Sequence, residues 1–266
     1  MSKDQEITAE LRWQVGKQHR GFSNGWQEHT KFFRPSPFGY KRMSAGGKIE
    51  TISLLGGTGH LGVGLALRWA PKHRVLIGSR EKERALAARD RVLSVLNKRG
   101  FKATVDGNVN EEIVTGSDLV VFCVPYEPAL EIAHKIRDSL TDQIVLSPVA
   151  PMEKRDDFLV PSLTPPDCAA VRVREILPKN VSVVSTLHNV PADKLYVDGP
   201  MPDYAIVVYG ENPAKKTVMN LVREMKLLVP LDGGPLEFSY LSEQITPLLL
   251  NLARLNKKKD LSTKFF

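Results

Sequence analysis

The chain has 266 residues, 42% hydrophobic and 25% charged, which is a globular composition with enough apolar content for one large core or two modest ones. Its apolar runs, such as DLVVFCVP at 118–125, are strand-sized and fall short of the ~20 residues a membrane-spanning helix needs. Two cysteines, Cys123 and Cys168, exclude a disulfide framework or a cysteine metal cluster and suit a reducing, cytoplasmic setting.

The net charge of +7 is unevenly spread: residues 1–48 hold nine Lys/Arg against four Asp/Glu, which leaves only +2 for the other 218. Residues 1–47 read as a basic, disordered extension. Its charges come in both signs without a helical stripe, so nucleic acid is not an expected partner. Asp4, Glu6 and Glu10 interrupt it and no apolar h-region follows, which argues against a targeting peptide. Met43 is read as an alternative natural start.

From residue 49 the pattern alternates. Short β-branched or apolar runs at 49–55, 74–79, 103–105, 118–124, 143–147 and 182–187 predict strands. Amphipathic stretches at 61–70, 81–98, 109–116, 127–139 and 168–177 predict helices between them. This is the signature of βαβ units in a Rossmann-type, doubly wound, mostly parallel sheet, and the strands are apolar throughout because helices cover both faces. Beyond about 190, a strand at 204–210, a helix over 213–226, a strand at 228–232 and a last helix from 235 predict a small C-terminal α+β lobe. Pro247 should bend or divide that last helix.

The first predicted strand runs into GTGHLG, a G-x-G-x-x-G turn that opens a helix. In that context Gly57 permits the tight turn, Gly59 lets a pyrophosphate approach the backbone, and Gly62 lets helix and strand pack closely. Free N–H groups at the helix start then face the anion. The end of the second strand selects the dinucleotide. An NAD site places a carboxylate there for the ribose 2′-hydroxyl, whereas this chain has Ser79 and Arg80, with Arg84 one turn further on. A hydroxyl and guanidinium groups suit a 2′-phosphate, so the expected cofactor is NADP.

Ligands of open parallel sheets bind beyond the carboxyl ends of the strands, where Val124, Ser147, Ala150 and His188 fall. His188 is read either as a polar contact to a cofactor ring or as a core histidine bonded to backbone. His60 is read as a residue of the phosphate loop, and Glu243 and Gln244 either as pocket groups or, in preference, as an exposed helix face.

Several longer segments resemble one family: the NADP oxidoreductases dependent on coenzyme F-420, an 8-hydroxy-5-deazaflavin. LLGGTGHLGVGLALRWA, VLIGSR, IVLSPVAPM, STLHNVPA, LDGGPLEFSYLSEQITPLLLNLARLN and the terminal KFF carry the resemblance, over about residues 49–266. It implies that Thr58, Gly59, His60 and Leu61 take the pyrophosphate and that Ser79, Arg80 and Arg84 take the 2′-phosphate. It further implies that Val124 and Pro125 line the nicotinamide side with Ala150 and Ala192 nearby. The HNVPA segment, the GGPLE turn and Leu261 would wall the deazaflavin. His60, Arg84, Tyr126 and Pro128 depart from the residues the family often shows.

The expected organisation is then an NADP-binding domain over 48–190 and a lobe over 191–266 that completes the deazaflavin pocket. The expected chemistry is direct hydride transfer between NADP(H) and coenzyme F-420, which needs stacked rings rather than a catalytic side chain or a metal. A homodimer is expected from the resemblance and from the long apolar final helix. The readings that compete with it are an NADPH-dependent flavin or ferric reductase, an imine or hydroxy-acid dehydrogenase, and a non-catalytic NADP sensor.

Overall fold

The structure, a computed structural model, describes residues 48–265. The readings of residues 1–47 as disordered and of Met43 as a start lie outside the described residues.

Strand β1 (Thr51–Leu55) is followed by helix α1 (His60–Trp69), β2 (Arg74–Ser79), α2 (Lys82–Lys98), β3 (Val105–Val109) and a single turn, α3 (Asn110–Ile113). Strand β4 (Leu119–Phe122), α4 (Tyr126–Ile136) and β5 (Ile144–Ser147) continue the alternation. A hairpin of β6 (Met152–Arg155) and β7 (Phe158–Pro161), helix α5 (Ala169–Ile176), β8 (Ser182–Ser185) and a short α6 (Ala192–Tyr196) come next. Strand β9 (Ala205–Gly210), α7 (Ala214–Glu224), β10 (Val229–Asp232), α8 (Tyr240–Glu243) and α9 (Ile245–Leu255) complete the described chain.

The main sheet runs β10-β9-β8-β5-β4-β1-β2-β3, parallel except where β9 meets β8. The fold is therefore a Rossmann-type α/β structure. The two strands expected in the C-terminal part extend this same sheet, since Val184 and Ser185 pair with Gly210 and Tyr209. Both ends of the sheet are parallel-paired edge strands rather than hairpins.

Side chains alternate between the two faces. Leu119 and Val121 join the core under α1, α2 and α7, while Val120 and Phe122 join the core under α4 and α5. Burial on both sides is why β4 reads as a continuous apolar run. The switch point lies between β1 and β4, because the chain winds outward from β1 through β2 and β3 and then returns to build the other half from β4.

Three local expectations shift. The third strand forms at 105–109 instead of 103–105, since VDGNV pairs with β2 at the sheet edge despite its poor strand propensity. The β6–β7 hairpin, turned by Asp156 at a φ of 50°, was not expected from its charged sequence. It is held instead by a distant side chain: Asn251 of α9 accepts from Leu159 N–H at 2.9 Å and donates to its carbonyl at 2.7 Å, as a neighbouring strand would. Finally, the last helix breaks at Gln244, and Pro247 sits in the first turn of α9, where its missing N–H costs nothing.

Candidate active site

The loop between β1 and α1 is packed so tightly that only glycine fits its inner positions. A Cβ on Gly62 would lie 2.4 Å from the Cα of Gly57, so helix and turn approach as closely as two backbones can. Gly56, at a φ of 64°, presses on Val124, whose Cγ1 would lie 2.1 Å from an added Cβ. That contact brings the glycine loop beside the end of β4 across the switch point. Gly59 is different: a Cβ there would meet only the Gly56 carbonyl oxygen, at 3.8 Å, so its outer side is open. No side chain caps α1, which leaves its first-turn amides available to an anion. Gly57, Thr58, Gly59, His60, Leu61 and Gly62 thus form a close turn that opens the helix with an accessible outer side at Gly59 and no side-chain cap.

At the end of β2, Ser79 is buried and its hydroxyl accepts from the Glu81 N–H at 3.3 Å. Arg80 is exposed at the same strand end. Arg84 pairs with Glu81 at 2.9 Å on the helix surface, so an incoming phosphate there would compete with a carboxylate. Arg91, unmarked in the sequence reading, donates to the Thr58 carbonyl at 3.2 Å. It lies seven residues after Arg84, two turns along one face of α2, and that spacing is the signal that could have found it.

The other half of the site is a cavity of about 460 Å³, within the range of small-molecule sites. His60, His188, Ala192 and Leu261 line it, together with Thr246, Leu249, Leu250 and Ala253 from one face of α9. The spacing 246, 249, 250, 253 is a helical stripe that was legible in the sequence but was assigned there to a dimer surface. Val124, Pro125 and Ala150 lie outside this wall, beyond the ends of β4 and β5. The GGPLE turn does not line the cavity either. Lys215, itself buried, holds that turn by donating to Asp232 at 2.5 Å and to the Gly234 carbonyl at 3.2 Å.

His60 joins the two halves. Its ring stacks on Tyr196, with centroids 4.5 Å apart and planes inclined by 19°, and its Nε2 pairs with Asp193. Tyr196 in turn donates to the His60 carbonyl at 2.9 Å. Neither Tyr196 nor Asp193 was singled out from sequence, because each is more than 130 residues from its partner. His188 is buried with Nε2 3.2 Å from Ser185 Oγ, and burial pushes its pKa down to about 3. Its imidazole is neutral and its partner is a side chain rather than backbone. Both thiols are pushed up by burial, so neither is an activated nucleophile.

Glu243 does not sit on an exposed face. It is buried, accepting from the N–H groups of Ala169 at 2.7 Å and Ala170 at 3.2 Å and from the Ser239 hydroxyl at 3.0 Å. Helix α8 turns inward there to cap the start of α5, a long-range contact that helical periodicity cannot show.

The comparisons with known proteins fall on this geometry. The family model described as NADP oxidoreductase, coenzyme F420-dependent, matches residues 51–151, which run from β1 to the end of β5 and just beyond. The F420-dependent NADP reductase of Methanocaldococcus jannaschii is 34% identical over 203 residues, covering 76% of this chain and 91% of that protein. The chain belongs to the F420-dependent NADP reductase family. A second member, from Methanothermobacter thermautotrophicus, is 28% identical over 80% of this chain and 93% of its own length. Among solved structures, a candidate F420-dependent NADP reductase from Arthrobacter sp. FB24 shares the fold, with a TM-score of 0.69 at 20% identity over 82% of this chain and 99% of that one. A diketoreductase shares the fold more distantly, with a TM-score of 0.53 at 16% identity over 79% of this chain and 73% of that one.

Proposed function

We infer that this protein transfers a hydride between NADP(H) and coenzyme F-420. The observation that carries the reading is the joining of the two halves at His60: its backbone belongs to the phosphate cradle and its side chain lines the cavity. Two ligands held in those places would meet beyond the carboxyl ends of β1 and β4.

When bound, the nicotinamide and the deazaflavin themselves supply hydride donor and acceptor, so the chain's task is placement. The glycine cradle and the α1 amides hold the pyrophosphate, and Ser79 and Arg80, with Arg84 released from Glu81, hold the 2′-phosphate. Val124, Pro125 and Ala150 border the nicotinamide side, and Ala192 and Leu261 face the second ring. His188, neutral at any working pH, offers an uncharged polar edge to that ring and is no proton source. Residues 48–190 in this reading form the NADP-binding domain, and 191–266 complete the deazaflavin pocket. The protein acts in the cytoplasm. Among the described residues, no helix is long and apolar enough to cross a membrane. It works as a homodimer, with the outward stripe of α9 as the contact surface.

The test follows deazaflavin absorbance on adding NADP to purified protein and reduced coenzyme F-420. Rapid reoxidation is expected. A flat trace, with fast turnover of FMN instead, would replace this reading by that of a flavin reductase.

A further inference from the structure

Helix α9 ends at the rim of the cavity in three consecutive lysines. Lys257, Lys258 and Lys259 are all exposed, and Lys259 lines the cavity itself. The turn that presents them is a Schellman motif: Lys258 N–H donates to the Ala253 carbonyl at 2.9 Å and Lys257 N–H to the Arg254 carbonyl at 3.3 Å. Lys257 therefore occupies the left-handed position, with a φ of 50°, where glycine is favoured and a long side chain is strained. Asp260, at a φ of 57°, turns the chain back.

The loop is anchored on both sides. Asp260 pairs with Lys194 at 3.0 Å, and Tyr204 donates to its carbonyl at 3.3 Å. Just beyond, Ser262 donates to the Asn189 carbonyl at 2.6 Å, while the Asn189 amide donates to Thr263 at 2.6 Å. The lysines are thus held against the HNVPA segment that forms the cavity's opposite wall. Of the two acids at this rim, Asp260 is paired with Lys194, and Asp193 is hydrogen-bonded to His60. The three lysines make no ion pair with any described residue. A helix C-terminus does favour a cation, but one would serve, and glycine would better close the turn. Three lysines against the single acid without a cationic lysine partner give the rim an excess of positive charge, and such an excess beside an apolar wall concentrates an anionic ligand.

We propose that Lys257, Lys258 and Lys259 form an anion-binding rim that takes a negatively charged side chain, bearing phosphate or carboxylate, of the deazaflavin whose ring enters the cavity. The proposal rests on the cavity being the deazaflavin site, and adds a subsite that selects charged over uncharged forms of the co-substrate.

The experiment uses the full chain, NADPH and three co-substrates: coenzyme F-420, the same deazaflavin ending in phosphate alone, and the deazaflavin with a neutral hydroxyl-ended chain. The readout is the ratio of kcat/KM for each charged form to that for the neutral one. Replacing all three lysines by Gln is expected to lower the ratio about tenfold and to flatten its salt dependence. Loss with the phosphate-ended form identifies phosphate as the group held; loss with coenzyme F-420 alone identifies carboxylates. Lys257→Gly is expected to lower the ratio two- to threefold while raising Tm by ~2–4 °C, since it relieves the left-handed strain. Ratios unchanged in both variants, or a native enzyme equally efficient with all three forms, overturn the rim while leaving the cavity reading standing. A native enzyme that reduces none of the three overturns both.

Discussion

Ser79 and Arg80 stand where an acidic residue would mark a plain dinucleotide, and among the described residues Arg80, unlike Arg84, forms no ion pair with a carboxylate. In the proposed binding mode, Arg80→Asp would remove one charge-assisted contact to the 2′-phosphate and add a repulsion of similar size. The ratio of kcat/KM for NADPH over NADH is expected to fall by about 100-fold, on the order of 3 kcal/mol. Retention of the native ratio in steady-state assays would show that the phosphate is gripped elsewhere. Glu243 makes a different kind of prediction. Burial pushes its pKa up to about 7, against three hydrogen bonds that favour the carboxylate. The folded state then holds the proton more tightly than the unfolded one. This group's contribution is greatest below pH ~4.5 and declines as pH rises towards ~7, by about 3 kcal/mol at most. Chemical denaturation of Glu243→Gln across that window is expected to lose this slope, whatever its absolute stability.

At the scale of elements, α6 is too short to hold itself and depends on α1. Arg68 donates to the carbonyls of Lys194 at 2.8 Å, Leu195 at 2.9 Å, Val197 at 2.7 Å and Gly199 at 2.5 Å, closing the C-terminal end of that turn. Leu195 packs against Gly64 so closely that a Cβ there would lie 2.7 Å from it. Arg68→Ala is expected to cost about 3 kcal/mol in urea unfolding. It should also raise KM for coenzyme F-420 more than KM for NADPH, because Ala192 and Asp193 ride on α6 and the glycine loop does not. Elements whose signals were local, such as β1, α1 and β2, were legible in the sequence nearly to the residue. Those stabilised from afar were not: α6 by Arg68, the β6–β7 hairpin by Asn251, and the edge strand β3 by its pairing with β2.

For the whole molecule, the informative feature is the apolar surface left on α9. Thr246, Leu249, Leu250 and Ala253 turn to the cavity, while Leu248, Leu252 and Leu255 remain 54%, 39% and 59% exposed. Three leucines at i, i+4 and i+7 make a stripe that a second copy of the chain would cover. Light scattering is expected to give twice the chain mass, and Leu248→Asp with Leu252→Asp to give a single chain. A native protein that scatters as one chain at micromolar concentration would remove the dimer.

The sequence alone determined the Rossmann alternation and the glycine turn, because each depends on residues within one βαβ unit: buried strands are apolar and close turns need glycine. The cavity was decided only by the tertiary structure. Its wall is drawn from residue 60, residues 188–193, residues 246–253 and residues 259–261, and neither hydrophobic period nor spacing records which distant segments will meet. The same holds for β9 and β10, whose strand character was plain but whose place in the one sheet depended on pairing across about 25 residues with β8. Local chemistry is written in neighbouring residues, whereas the closing of a pocket is written in long-range contacts that form only when the whole chain packs.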